Sequence, residues 1–98
     1  MLNLSELQPI SVRDLCAVAG VSEPTLQYLF QWKYGITPMA YLKRVRLNDV
    51  RKVLYREIPG KLKIADIANR RGFWHMGQFA KDYHQLFGEL PSDTLRKI

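Results

Sequence analysis

The stretch Ser11-Val12-Arg13-Asp14-Leu15-Cys16-Ala17-Val18-Ala19-Gly20-Val21-Ser22-Glu23-Pro24-Thr25-Leu26-Gln27-Tyr28-Leu29-Phe30 decides the fold. Ser11 stands just before an apolar series (Val12, Leu15, Cys16, Ala19) spaced for one face of a helix, so it reads as an N-cap. Gly20 supplies the positive φ that a tight turn requires, and Val21 plugs the corner. Ser22 reads as a second N-cap, with Pro24 in the first turn, where a missing N–H costs nothing. Leu26, Leu29 and Phe30 make the next buried stripe, extended by Lys33 or Tyr34 and ended by Gly35. A short helix, a turn containing Gly and a second helix form a helix-turn-helix unit. Cys16, on the first stripe, is expected to be a small buried hydrophobe.

The pattern returns further along the chain. Val12, Leu15, Cys16, Gly20 and Val21 recur as Ile64, Ile67, Ala68, Gly72 and Phe73, 52 positions on. Leu26, Phe30, Gly35 and Pro38 recur as Phe79, Tyr83, Gly88 and Pro91, 53 positions on. Two aligned glycine pairs and a proline pair exceed what chance matching of apolar residues gives, so the chain contains two copies of one unit. In the second copy Ile64, Ile67, Ala68 and Arg71 form the first helix, Gly72 the turn, and Phe79, Tyr83, Leu86 and Phe87 the second stripe, closed by Gly88.

Between the copies, Pro38 to about Tyr55 holds no internal Gly or Pro. Leu42, Val45 and Val53 lie on one side of this helix and Leu47, Val50 and Leu54 on another, a width suited to packing at both ends. Eighteen residues make about 27 Å of helix, against about 34 Å between successive major grooves on one face of DNA. Ile58-Pro59-Gly60 breaks the helix. The expected architecture is all-α, with a first subdomain over 1–37, a linker helix over 38–57 and a second subdomain over 58–98.

The chain has 98 residues and a net charge of +6. The excess lies in residues 38–63, where Lys43, Arg44, Arg46, Arg51, Lys52, Arg56, Lys61 and Lys63 outnumber two acids. Such a balance suits a polyanionic partner, although a basic helix face is also ordinary solvated surface. No apolar run is long enough to span a membrane, and the first residues lack the features of a secretory leader. One cysteine leaves no disulfide framework and favours a cytoplasmic setting. His75 and His84 have no ligand partners at metal spacing, and no phosphate loop or nucleophile set is present, so neither cofactor nor catalysis is expected.

From about Pro9 to Arg96 the sequence resembles the DNA-binding domain of AraC/XylS-type transcriptional regulators. The resemblance rests on 11–16, Gly20-Val21-Ser22 with Leu26 and Phe30, Tyr41-Leu42-Lys43-Arg44-Val45-Arg46-Leu47-Asn48, Gly72-Phe73 through Phe79, Tyr83, Gly88 and Pro91. Gly72-Phe73-Trp74-His75-Met76-Gly77-Gln78-Phe79 and Gly88-Glu89-Leu90-Pro91-Ser92 look like a subgroup that includes the ethanolamine-utilisation regulator. The resemblance implies seven helices, a bacterial cytoplasmic module acting at the nucleoid, and two recognition helices in successive major grooves of double-stranded DNA. It also implies RNA polymerase as a partner and a monomeric module. Members usually carry an effector or dimerisation domain on the N-terminal side. Nothing here corresponds to one, so the chain is expected to be a fragment or a short member. A docking module for another protein is the alternative from a different class.

The resemblance and the buried stripe together place Glu23, Pro24, Gln27, Tyr28 and Gln31 on the DNA-facing side of the first recognition helix. Gln27 and Gln31 suit bidentate contact with adenine, and Pro24 and Tyr28 suit a thymine methyl or a phosphate. Glu23 either accepts from cytosine or complements the helix dipole. The second recognition helix is expected to present His75, Met76, Gly77, Gln78 and Lys81. Lys81 stands where the family commonly has Arg, offering a point charge in place of a fork, to a base or to phosphate alone. Gly77 either allows close backbone approach or marks a weakly specific helix. Lys43 and Arg44, with Arg51, Lys52, Lys61 and Lys63, are expected to attract phosphate, while Arg46 is either a phosphate contact or structural. Trp74 is expected to pack beside the turn or to stack on a base, and Trp32 to pack on the linker.

Overall fold

A computed structural model of the chain describes residues 11–56, 61 and 63–96, and every regular element among them is an α-helix. The helices are α1 (Val12–Ala19), α2 (Glu23–Tyr34), α3 (Pro38–Arg56), α4 (Ile64–Arg70), α5 (Met76–Phe87) and α6 (Pro91–Arg96). The expected break at Ile58-Pro59-Gly60 and the segment Met1 to Gln8 lie outside the described residues. The chain divides into two compact units, the division falling between Val45 and Arg46 inside α3.

In the first unit, α1 opens with a reciprocal cap. The Ser11 hydroxyl accepts from the Asp14 amide at 3.1 Å, and the Asp14 carboxylate accepts from the Ser11 amide at 3.0 Å. This satisfies two N–H groups that a helix start otherwise leaves open. The Ser11 amide, and then its hydroxyl, hold the Asp14 carboxyl below its usual range. Gly20 closes α1 at φ +69° and Gly72 makes the matching turn at φ +89°, a region that costs an L-residue about 1–2 kcal/mol. Ser22 sits at the N-cap of α2 with extended backbone, but its side chain makes no capping bond. Its hydroxyl donates instead to Thr25 Oγ1 at 3.0 Å.

Among the described residues, the apolar ones enclosed in this unit are Leu26, Pro38 and Leu42. Phe30, Tyr34 and Tyr41 join the end of α2 to the start of α3, with ring centroids 5.2 to 5.9 Å apart. Two expectations fail here. Cys16 is only half-buried, because α1 has no buried residue and so small a unit cannot surround a two-turn helix. Leu29, placed on the inward stripe from spacing, is 41% exposed.

The second unit has the larger core, in which Leu47, Val50 and Leu54 of α3 meet Ile67, Ala68, Phe79 and Tyr83. Val53, Ile64, Phe73, Met76, Phe87 and Leu95 pack around them. Phe73, Phe79, Tyr83 and Phe87 form a run of tilted and edge-on ring pairs, 4.6 to 5.9 Å apart. Arg71 caps α4 and lies outside it, and Leu86 is exposed, so the stripes end one residue sooner on α4 and narrower on α5 than spacing alone predicts.

A buried polar chain ties α6 to α5. Thr94 and Tyr83 are fully enclosed, and their oxygens lie 2.6 Å apart. The Thr94 hydroxyl donates to Glu89 Oε2. Having one proton, it must therefore accept from the Tyr83 hydroxyl. Burial pushes the Tyr83 phenol up, and the bond to Thr94 partly offsets this. Thr94→Val should lower unfolding stability by about 1–3 kcal/mol, because two partners lose their bond inside the core. A urea titration reads this as a lower midpoint at unchanged slope. A raised folded-state phenol pKa also means that the Tyr83 contribution is complete below pH of about 10 and is lost as pH rises through the folded value.

Candidate nucleic-acid interface

Helix α2 buries Leu26 and half-buries Phe30, and this orientation leaves the opposite side for solvent. Glu23, Pro24, Gln27, Tyr28 and Gln31 are all exposed. They do not form one uniform surface. Glu23 and Gln27 line a shallow cleft with Val12, Thr37, Pro38 and Met39, so they stand on the flank next to the start of α3. Tyr28, 69% exposed, projects from the side opposite Leu26, and Pro24 and Gln31 lie beside it by helical spacing. The face thus offers an amide and a carboxylate on one flank, and a phenol and a second amide at its crest.

Helix α5 presents less. His75 is exposed but is the N-cap residue, with no capping bond from its side chain. Met76 is half-buried and packs against the core, so only part of its side chain stays at the surface where it was expected to be presented. It lies beside Ile64 and Phe79, and the three line one largely apolar surface groove. Gly77 is exposed, and a Cβ built there meets nothing within 4 Å. Gln78 is exposed, but its amide donates to Asp82 at 2.9 Å. Lys81 is exposed and lines a groove with His84, Glu89 and Asp93.

The charge of α3 is sorted by burial. Its one acid, Asp49, is only 5% exposed. Lys43, Arg44, Lys52 and Arg56 are exposed, so every exposed charge of the helix is positive. Lys61 and Lys63 are exposed as well. Asp49 was legible in principle, since it falls at the i+4 step between Val45 and Val53 on an otherwise apolar stripe. Arg46 is half-buried. Arg51 departs from the expected role of phosphate attraction. Its guanidinium lies 4.7 Å from the centroid of the Phe87 ring and 5.3 Å from that of Tyr55, and it donates to the Tyr55 hydroxyl at 3.1 Å. A flat, weakly hydrated cation stacks on rings in this way, and here it serves packing.

Exposure removes the packed reading for both tryptophans and leaves the base-stacking reading of Trp74. Trp74 is 76% exposed beside the second turn and Trp32 is 75% exposed on α2.

Comparisons with known proteins agree with this architecture. A family model described as a helix-turn-helix domain matches residues 15–97. The probable thc operon regulatory protein of Rhodococcus erythropolis is 43% identical over 93% of this chain and 27% of its own length. The XylDLEGF operon transcriptional activator of Pseudomonas putida is 40% identical over 90% of this chain and 27% of its own. The chain therefore spans about a quarter of the length of these curated relatives. Among solved structures, a probable AraC family transcriptional regulator from Rhodopseudomonas palustris CGA009 is similar at a TM-score of 0.79 and 37% identity, covering 92% of this chain and 82% of that one. An AraC-type DNA-binding domain-containing regulator from Chromobacterium violaceum is similar at a TM-score of 0.79 and 28% identity, covering 91% and 77%.

The stacked position of Arg51 has a measurable consequence. Arg51→Ala should destabilise the fold by about 1–2 kcal/mol through lost ring contacts. Measured where the variant is still folded, the dependence of DNA affinity on salt should match the parent. Lys52→Ala should do the reverse, reducing the salt slope by about 0.9 at little cost in stability.

Proposed function

Since the chain belongs to the AraC/XylS-type helix-turn-helix family of DNA-binding transcriptional regulators, we propose that it reads duplex DNA through the outward faces of α2 and α5, set in successive major grooves. The observation that carries the proposal is the exposed set Glu23, Pro24, Gln27, Tyr28 and Gln31 on a helix oriented by Leu26. The exposed charges of α3, all positive, add sequence-independent attraction. Gln27 and Gln31 read adenine edges, Pro24 and Tyr28 meet thymine methyls or phosphate, and Glu23 accepts from cytosine on the cleft side. Lys43 and Arg44 neutralise phosphates.

On this reading the two units contribute unequally. In α5, His75 and Lys81 keep exposed polar ends, Gly77 leaves room for close backbone approach, and Gln78 must exchange Asp82 for a base. Residues 1–37 and 58–98 act as the two reading subdomains and 38–57 as their joint. We place the module, as a monomer, in the cytoplasm at the bacterial nucleoid, acting with RNA polymerase and under an effector domain supplied from outside these residues. The segments 72–79 and 88–92 support assignment to the subgroup of the ethanolamine-utilisation regulator.

Selection of bound duplexes from a random pool, followed by titration of variants on the selected site, tests the proposal. Gln27→Ala should lose about 1–3 kcal/mol of discrimination at one base position. Identical affinities of parent and variant for selected and scrambled duplexes would remove the base-reading role of α2. Lys81→Ala should relax a base position in the half-site read by α5. An equal loss on every sequence would reduce Lys81 to a phosphate contact.

A further inference from the structure

We propose that Trp32 belongs to the DNA interface as a sequence-independent contact, its indole set against the sugar–phosphate wall of the groove that receives α2. The proposal rests on the reading of α2 as a recognition helix and extends it to a residue outside the base-reading set. Tryptophan is usually well covered in folded proteins, yet Trp32 is 75% exposed. The ring pairs of the unit run through Phe30, Tyr34 and Tyr41 and leave it out. It follows Tyr28 by four residues, so the two side chains are neighbours on one face, and side chains on a helix lean toward its N-terminus. Trp32 therefore continues the crest formed by Pro24 and Tyr28.

Position decides what it meets. Recognition helices present their N-terminal residues to base edges. Trp32 lies nine residues after Glu23, about 13 Å along the axis, where a helix inserted by its start is leaving a groove about 12 Å wide. There the wall is deoxyribose and phosphate. The indole has one N–H donor and no acceptor, which matches an acceptor-only phosphate, and its ring gives apolar cover to the sugar. Arg13, Lys33, Lys43 and Arg44 outnumber Asp14 and Glu23 in this unit, so the surroundings favour an anionic partner, which on the reading of α2 is the DNA backbone.

The test measures the affinity of the 98-residue chain for a selected duplex and a scrambled one at two salt concentrations, for the parent, Trp32→Ala, Trp32→Phe and Gln27→Ala. Circular dichroism and a urea midpoint confirm that each variant is folded. Trp32→Ala should weaken both duplexes by the same factor, about tenfold, the worth of one hydrogen bond with its apolar cover. The salt slope should not change, because no charge is removed. Trp32→Phe should fall between, keeping the cover and losing the N–H. Unchanged affinity, or a loss confined to the selected duplex, overturns the proposal. So does sedimentation showing that Trp32→Ala instead dissolves an association between copies of the chain. If Gln27→Ala alters discrimination and Trp32→Ala does nothing, this inference falls alone. If neither changes binding, the reading of α2 falls with it.

Discussion

Burial of a narrow apolar stripe on the second helix of each unit is the constraint on which the rest depends. Leu26 on α2, and Phe79 with Tyr83 on α5, are enclosed, and a helix held by one side has no freedom over what it shows on the other. The enclosed side chains are withdrawn from the surface, yet they determine which residues a partner can meet. The tight turns before these helices serve the same end. A glycine at positive φ lets the chain reverse in few residues, so the first helix of each unit can cover the stripe without a long loop.

The two units meet this constraint with different means. The second has a contiguous core of seven buried residues, a run of aromatic rings, and a polar chain from Tyr83 through Thr94 to Glu89. Such a chain is specific because each member needs the next, and loss of any one leaves an unpaired polar group in a dry place. The first encloses few residues, and its aromatic cluster is partly open to solvent. It leans on local devices instead, in the capping box at Ser11 and Asp14 and the ring contacts that bind α2 to α3. The better-built unit shows fewer open polar groups on its second helix, with Met76 half-buried against the core and Gln78 bonded to Asp82. The thinner unit displays the richer face.

Charge is sorted by the same packing. Asp49 is enclosed and Arg51 lies on aromatic rings, while Lys43, Arg44, Lys52 and Arg56 remain outside. A sum over the sequence cannot make this distinction, since it weighs an arginine stacked on Phe87 equally with one exposed to solvent. All charges contribute to the long-range field, but direct pairing with a polyanion falls to the exposed ones.

Periodicity, glycine placement and the internal repeat determine much of this protein unaided. The caps, the two turns, the helix from Pro38 and the inward Leu26, Phe79 and Tyr83 follow from local spacing, because helix geometry acts over three or four residues and is written in the order of residue types. The tertiary structure alone decided what each stripe could cover. It left Leu29, Leu86, Trp32 and Trp74 in solvent where composition would bury them, half-exposed Cys16, packed Met76 against the core, and turned Asp49 inside and Arg51 onto Phe87. Spacing names a face, but the depth of cover over that face depends on which residues distant in the chain arrive there and how much volume they bring.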